Sequence, residues 1–100
     1  MNVRYLPKAV VEYEAAAIWY DGHSSEAGDD FTQAIEQAEW LIAETPLTWP
    51  QWPGARVGVR RYLVPGFLFS IAYEVVRGEI VILAIAHQRR RPNYWFPRAI

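Results

Sequence analysis

Between residues 31 and 42 the apolar positions fall at Phe31, Ala34, Ile35, Ala38, Leu41 and Ile42, a spacing of three and four that lines one face of a helix. Asp29 and Asp30 lie in its first turns, where acids favour the positive end of the helix dipole, and Ser24 or Ser25 is placed to cap it. Pro46 biases Thr45 out of the helical region. The pattern therefore predicts a helix over 28–44. Upstream, Pro7 suits a first helical turn and Gly22 a C-terminal stop. Val11, Ala15 and Ile18 fall on one stripe between them, so a second helix is expected over 7–21. The short link "GHSSEAG" implies that the two helices form an antiparallel hairpin.

After "TPLTWPQWPGAR" (45–56), a loop with three prolines and two tryptophans, the period changes to two. Strands are expected at 57–64, 67–76 and 79–87, separated by Pro65-Gly66 and Arg77-Gly78, both suited to tight turns. In the middle strand Phe67, Phe69, Ile71, Tyr73 and Val75 share a face. The last strand is apolar on both faces, which marks it as central and covered on both sides. "NVRYL" (2–6) is a further β-prone run that can pair beside the last strand. The expected fold is α+β, a single domain over 1–100. A helix hairpin packs on a four-stranded, mostly antiparallel sheet, in the order β-α-α-β-β-β.

Composition narrows the functional classes. The chain has 100 residues, 52% of them apolar, and five tryptophans, which suits one folded domain with a modest core. It has no cysteine, so neither a disulfide framework nor a thiolate metal site is available. No stretch resembles a secretory signal core or a membrane span, and the expected location is the cytoplasm. The two histidines, His23 and His87, are isolated, and no Gly-rich phosphate loop or nucleophile elbow is present. No metal or other cofactor is expected. Glu12 and Glu14 are two apart on a helix and do not face each other, so they are expected to be solvated surface.

The net charge of −1 conceals a division between the halves of the chain. Residues 1–50 carry nine acids against two bases, and residues 51–100 carry eight arginines against two acids. Arg60 and Arg61 lie in a strand and point to opposite faces. Arg89, Arg90 and Arg91 leave the last strand, followed at once by Tyr94 and Trp95. Arginine beside aromatic rings is the composition of a phosphate-binding surface and also of a protein interface.

Three stretches carry a resemblance to a known family. "EAAAIWYDGHSSEAGDDFTQAIEQA" resembles the helix hairpin of the RelE/ParE superfamily of bacterial type II toxins, often labelled plasmid stabilisation proteins. "GVRRYLVPGFLFSIAYEVVRGEIVILAIAHQRR" resembles its three-stranded meander, and "HQRRRPNYW" its closing His-Arg-aromatic motif. The resemblance covers about residues 3 to 96.

It implies a toxin held inactive in a hetero-oligomer by a cognate antitoxin. One branch, RelE-like, cuts mRNA on the ribosome without a metal; the other, ParE-like, poisons DNA gyrase. For the mRNA-cutting branch the carried-over catalytic set is Arg61, Arg89 and Tyr94. Phe69 and Ser70 stand where that branch places an arginine in the middle strand, and the basic residues before the meander are reduced to Arg56. Phosphoryl transfer without a metal needs several cations around the phosphate, and this set is depleted. The resemblance therefore favours the gyrase-directed branch, with mRNA cleavage or an inactive, partner-binding relative as alternatives. Arg60, Arg89, Arg90, Tyr94 and Trp95 are the expected target-facing residues. Trp19, Tyr20 and Trp49 are the expected antitoxin-facing rings.

Overall fold

The computed structural model describes all residues 1–100. Strand β1 (Asn2–Tyr5) leads into helix α1 (Pro7–Asp21), helix α2 (Ser25–Glu44) and strands β2 (Arg60–Leu63), β3 (Phe69–Val76) and β4 (Glu79–His87). The sheet order is β1-β4-β3-β2. β1 runs parallel to β4, and the other pairs are antiparallel. The expected order and the central place of β4 both hold, and β4 is buried along almost its whole length.

Helix α2 starts three residues earlier than the period alone indicated, because Ser24 is its N-cap: the Ser24 hydroxyl accepts the Ala27 N–H at 3.0 Å. It ends at Thr45, which leaves the helical region and turns its hydroxyl back onto the Leu41 carbonyl at 2.8 Å. Its buried face is Phe31, Ile35, Ala38 and Ile42, as the spacing required.

Helix α1 presents a different face from the one expected. Ala9 and Ala16 are buried, with Glu12, Tyr13 and Tyr20 on the same side, whereas Val11, Ala15 and Ile18 are exposed. The helix carries apolar residues all round. Two alanines let its backbone lie close to α2 and β4, against which it packs. Bulkier Val11 and Ile18 are left outside.

Strand β2 is shorter than the 57–64 expected. Gly58 adopts φ +100, and the segment before it is folded around Gln51. The Gln51 amide donates to the carbonyls of Ala55 and Arg56 and accepts the Gly58 N–H at 3.0 Å. This loop then runs along the outer edge of β2, where the Arg61 N–H donates to the Pro50 carbonyl at 2.9 Å. Strand β3 begins at Phe69 rather than 67, because Pro65-Gly66 closes a turn in which the Phe67 N–H reaches the Val64 carbonyl. Arg77 and Gly78 both have positive φ and form the two-residue hairpin between β3 and β4.

The two faces of the sheet are built differently. On the helix side, Tyr20, Phe31, Phe67 and Phe69 form one aromatic cluster, with centroids 4.9 to 6.4 Å apart. Register puts Arg61, Ser70, Ala72, Ala84 and Ala86 on the opposite face. Their small side chains leave room there for two indoles, Trp52 and Trp95, which meet edge-on at 4.8 Å. Trp95 is 1% exposed, and the C-terminal tail is thus part of the core.

Candidate target-binding site

The tail is fixed at one point above all. β1 ends at Tyr5, opposite Ile82, so the edge of β4 beyond that residue has no neighbouring strand. A bulge follows, since Ala72 pairs with Ala84 and Tyr73 with Ile82, leaving Leu83 over. Side chains complete the open edge. The Ile85 N–H donates to Glu12 Oε1 at 3.1 Å, and Arg98 Nη1 donates to the Leu83 carbonyl at 2.9 Å. Arg98 also holds Glu12 through two bonds of 2.9 Å, one to each carboxylate oxygen. The Tyr94 hydroxyl donates to Glu12 Oε2, and Arg90 reaches the same oxygen at 3.4 Å.

Glu12 is therefore the buried centre of a network, not the solvated residue expected. Its side chain is 9% exposed, and its two oxygens accept from five donors, two on Oε1 and three on Oε2. The signal lay in its spacing: Glu12 is three residues after Ala9 and four before Ala16, on the small-residue face. Arg98 was not singled out at all. Its counterpart lies 86 positions away in the chain, and nothing local marks the pair.

Beside this network, Arg61, Ser70, His87, Arg90, Arg91 and Asn93 line a cleft of about 230 Å³, with Trp52, Tyr94 and Trp95 in its walls. Ser70 is buried, and its hydroxyl accepts from Arg61 Nε at 3.3 Å. The Arg61 guanidinium lies 5.0 Å from the Trp52 ring centre. Arg90 stacks on Tyr94 at 3.8 Å. His87 Nδ1 accepts the Arg89 backbone N–H at 3.0 Å, which puts the proton of a neutral ring on Nε2. Burial, then the hydrogen bond to Glu12 and that residue's charge, push the Tyr94 phenol far above its ordinary range. Arg90 and Arg98 oppose this and do not win, so Tyr94 stays protonated.

The expected site residues thus separate into groups. Arg61, Arg90 and Tyr94 come together at the cleft. Arg89 leads into it, but its side chain is exposed and forms no ion pair. Arg90, one of the expected target-facing residues, is exposed and also paired with Glu12 at 3.4 Å. Two of the expected target-facing residues lie away from the cleft's open surface. Trp95 is buried against Trp52 and offers no ring to a partner. Arg60 points to the helix side, where its Nη1 donates to the carbonyls of Leu47 and Trp49 at 3.1 and 2.6 Å and ties the proline-rich loop to the sheet.

Among the expected antitoxin-facing rings, Trp19 is 60% exposed and lies tilted against His23, ring centres 4.1 Å apart. Tyr20 is half-buried in the aromatic cluster. Trp49 is half-buried edge-on to Tyr62 at 4.7 Å, and its Nε1 has no hydrogen-bond acceptor. No three His, Asp or Glu side chains converge as a metal site, and no helix is long and apolar enough to cross a membrane.

Comparison with known proteins adds two findings. A family model described as the ParE toxin of type II toxin-antitoxin system, parDE, matches residues 3–92. A solved structure from the chromosomal ParDE TA system of P. aeruginosa is similar in fold, with a TM-score of 0.72 and 22% identity, covering 87% of this chain and 95% of that one. No curated protein sequence matches.

Proposed function

We propose, from the premise that this chain belongs to the family of ParE toxins of type II toxin–antitoxin systems, that it inhibits DNA gyrase and is neutralised by a cognate antitoxin. The observation that carries the choice of target is the state of Tyr94. A metal-independent RNase of the related branch needs cations and a proton-transfer group free to meet the 2′-hydroxyl and the phosphate. Here the half-buried Tyr94 hydroxyl is committed to Glu12 and is not free for that transfer. This engagement of Tyr94, the one proton-bearing member of the carried-over cutting set, supports the gyrase-directed reading over the RNase one.

Arg89 and Arg90, braced by Tyr94, are the proposed target-facing residues. The antitoxin takes the outside of α1. Ile18 and Trp19 are 72% and 60% exposed there, and Val11 continues the same apolar stripe. A stripe of this kind is typical of a surface covered by a partner. Trp19 is its anchor.

Purified protein should inhibit supercoiling by gyrase and trap cleaved DNA, with no effect on cell-free translation. Translation arrest with A-site mRNA cutting and unimpaired gyrase would reverse the assignment. Co-expression with the antitoxin should abolish the gyrase effect, and the two chains should elute as one species at micromolar concentration.

A further inference from the structure

We infer that the cleft between the end of β4 and the tail is a binding site for the phosphodiester backbone of a nucleic-acid strand. This rests on the gyrase-directed reading for its setting, since a toxin acting on gyrase meets DNA there. The chemistry of the cleft stands independently. Three arginines line it, Arg61, Arg90 and Arg91, and no carboxylate does. The nearest acid in the network, Glu12, is occupied by Arg98, the Ile85 N–H and Tyr94, with Arg90 at the longest of its contacts. The cleft thus keeps a local positive charge in a chain whose net charge is −1.

Its donors suit a phosphate. Arg61 uses only its Nε on Ser70, so its terminal nitrogens are free. Arg91 is exposed and makes no ion pair. Gln88 and Asn93 add neutral amide donors. Guanidinium forks match the geometry of phosphate oxygens, and stacking on Tyr94 and Trp52 holds two of them at low entropic cost. The volume, about 230 Å³, equals that of about eight waters at ~30 Å³ each, enough for one phosphate group with part of its hydration.

The test measures fluorescence anisotropy of short labelled strands with the free toxin. DNA and RNA strands of one sequence form two arms, and an acidic peptide of matched charge forms a third. Binding should weaken about 20-fold between about 50 and about 200 mM salt if three phosphates are neutralised on a single strand. Arg91→Glu, at an exposed position, should reduce binding at least about tenfold, and Arg90→Ala should reduce it and flatten the salt dependence. Arg77→Asn removes one charge at the far end of β4, in a turn that tolerates asparagine, and should bind as the parent does. Circular dichroism confirms that each variant is folded.

Binding to both strands supports the shared phosphate chemistry, and a preference for one names the source. Absent binding, equal losses in Arg77→Asn and Arg91→Glu, or equal affinity for the acidic peptide overturns the inference. The gyrase assay separates it from the wider reading. Gyrase inhibition without strand binding removes the cleft site and leaves the target. Strand binding with gyrase unaffected does the reverse.

Discussion

Glu12 and Arg98 meet through two bonds of 2.9 Å, joining the middle of α1 to the C-terminal tail. The pair does the work of a strand, because between them these two residues satisfy the Ile85 N–H and the Leu83 carbonyl where β1 has ended. Removing Arg98 leaves a buried carboxylate short of donors and a bare carbonyl. Arg98→Ala should therefore cost about 2–4 kcal/mol in urea unfolding. Glu12→Ala should cost a similar amount, and the double variant clearly less than the sum, since each single change strands the other charge. Additive losses would show that the two residues act separately.

Gly28 lies in α2 where α1 ends against it. A Cβ at that position would stand 2.7 Å from Asp21 Oδ1 and 3.1 Å from the Asp21 Cα. Alanine in place of glycine ordinarily gains about 1 kcal/mol in a helix. Here the close backbone contact decides the sign, and Gly28→Ala should lower stability by about 1–2 kcal/mol net as the hairpin is forced apart. A stabilised variant would show that the hairpin relaxes freely.

Buried phenols give the domain an alkaline limit. Burial pushes Tyr73 up to about 12, against a weaker pull downward from Arg60, and its hydroxyl donates to the Pro46 carbonyl at 2.6 Å. Tyr5 and Tyr94 are raised as well, each by burial first and then by a glutamate partner. A raised phenol stays protonated in the folded state while its unfolded counterpart ionises from about pH 10. Stability should therefore be unaffected by these groups below about pH 10 and fall as pH rises towards about 12 and beyond. Tyr73→Phe should weaken that fall by on the order of 2 kcal/mol at the upper end, while losing about 1 kcal/mol near neutrality with its hydrogen bond. Chemical unfolding at stepped pH, with tyrosinate absorbance, reads both effects.

The helix hairpin and the meander were legible in the sequence because their signals are local. Phe31 to Ile42 repeats at the helical period, and β4 is apolar at every position from Ile80 to Ala86. That β1 lies beside β4 followed from β4 being central, whereas its parallel sense was not read from the sequence. What was not legible depends on residues far apart in the chain. The seat for Trp95 exists because Ser70, Ala72, Ala84 and Ala86 come together across two strands. Four small residues in isolation do not announce it. Glu12 read as surface because its donors come from residues 85 to 98. The exposed stripe on α1 was misread because valine, isoleucine and alanine surround that helix, so composition does not choose a face. Of the site, the arginines were visible as a cluster. That Arg90 is paired and Arg60 turned away was set by packing.

The arginines at the end of β4 carry the proposed target-facing role. Arg89 is exposed without an acidic partner, and Arg90 is exposed with one weak contact to Glu12. Changing both to alanine should cost little stability, less than about 1 kcal/mol, because exposed charges contribute little and Arg98 keeps Glu12 satisfied. The same change should strongly reduce growth inhibition when the toxin is induced without antitoxin. It should also remove the trapped-cleavage signature from a purified gyrase reaction, while antitoxin binding at α1 is retained. That combination separates a target-facing role from an antitoxin-facing one, because the second would raise toxicity in the presence of antitoxin instead of lowering it. A folded double variant that remains fully toxic would leave these two side chains facing only water, and the target surface would then have to be sought elsewhere, first at Arg61 and Arg91 on the remaining wall of the cleft.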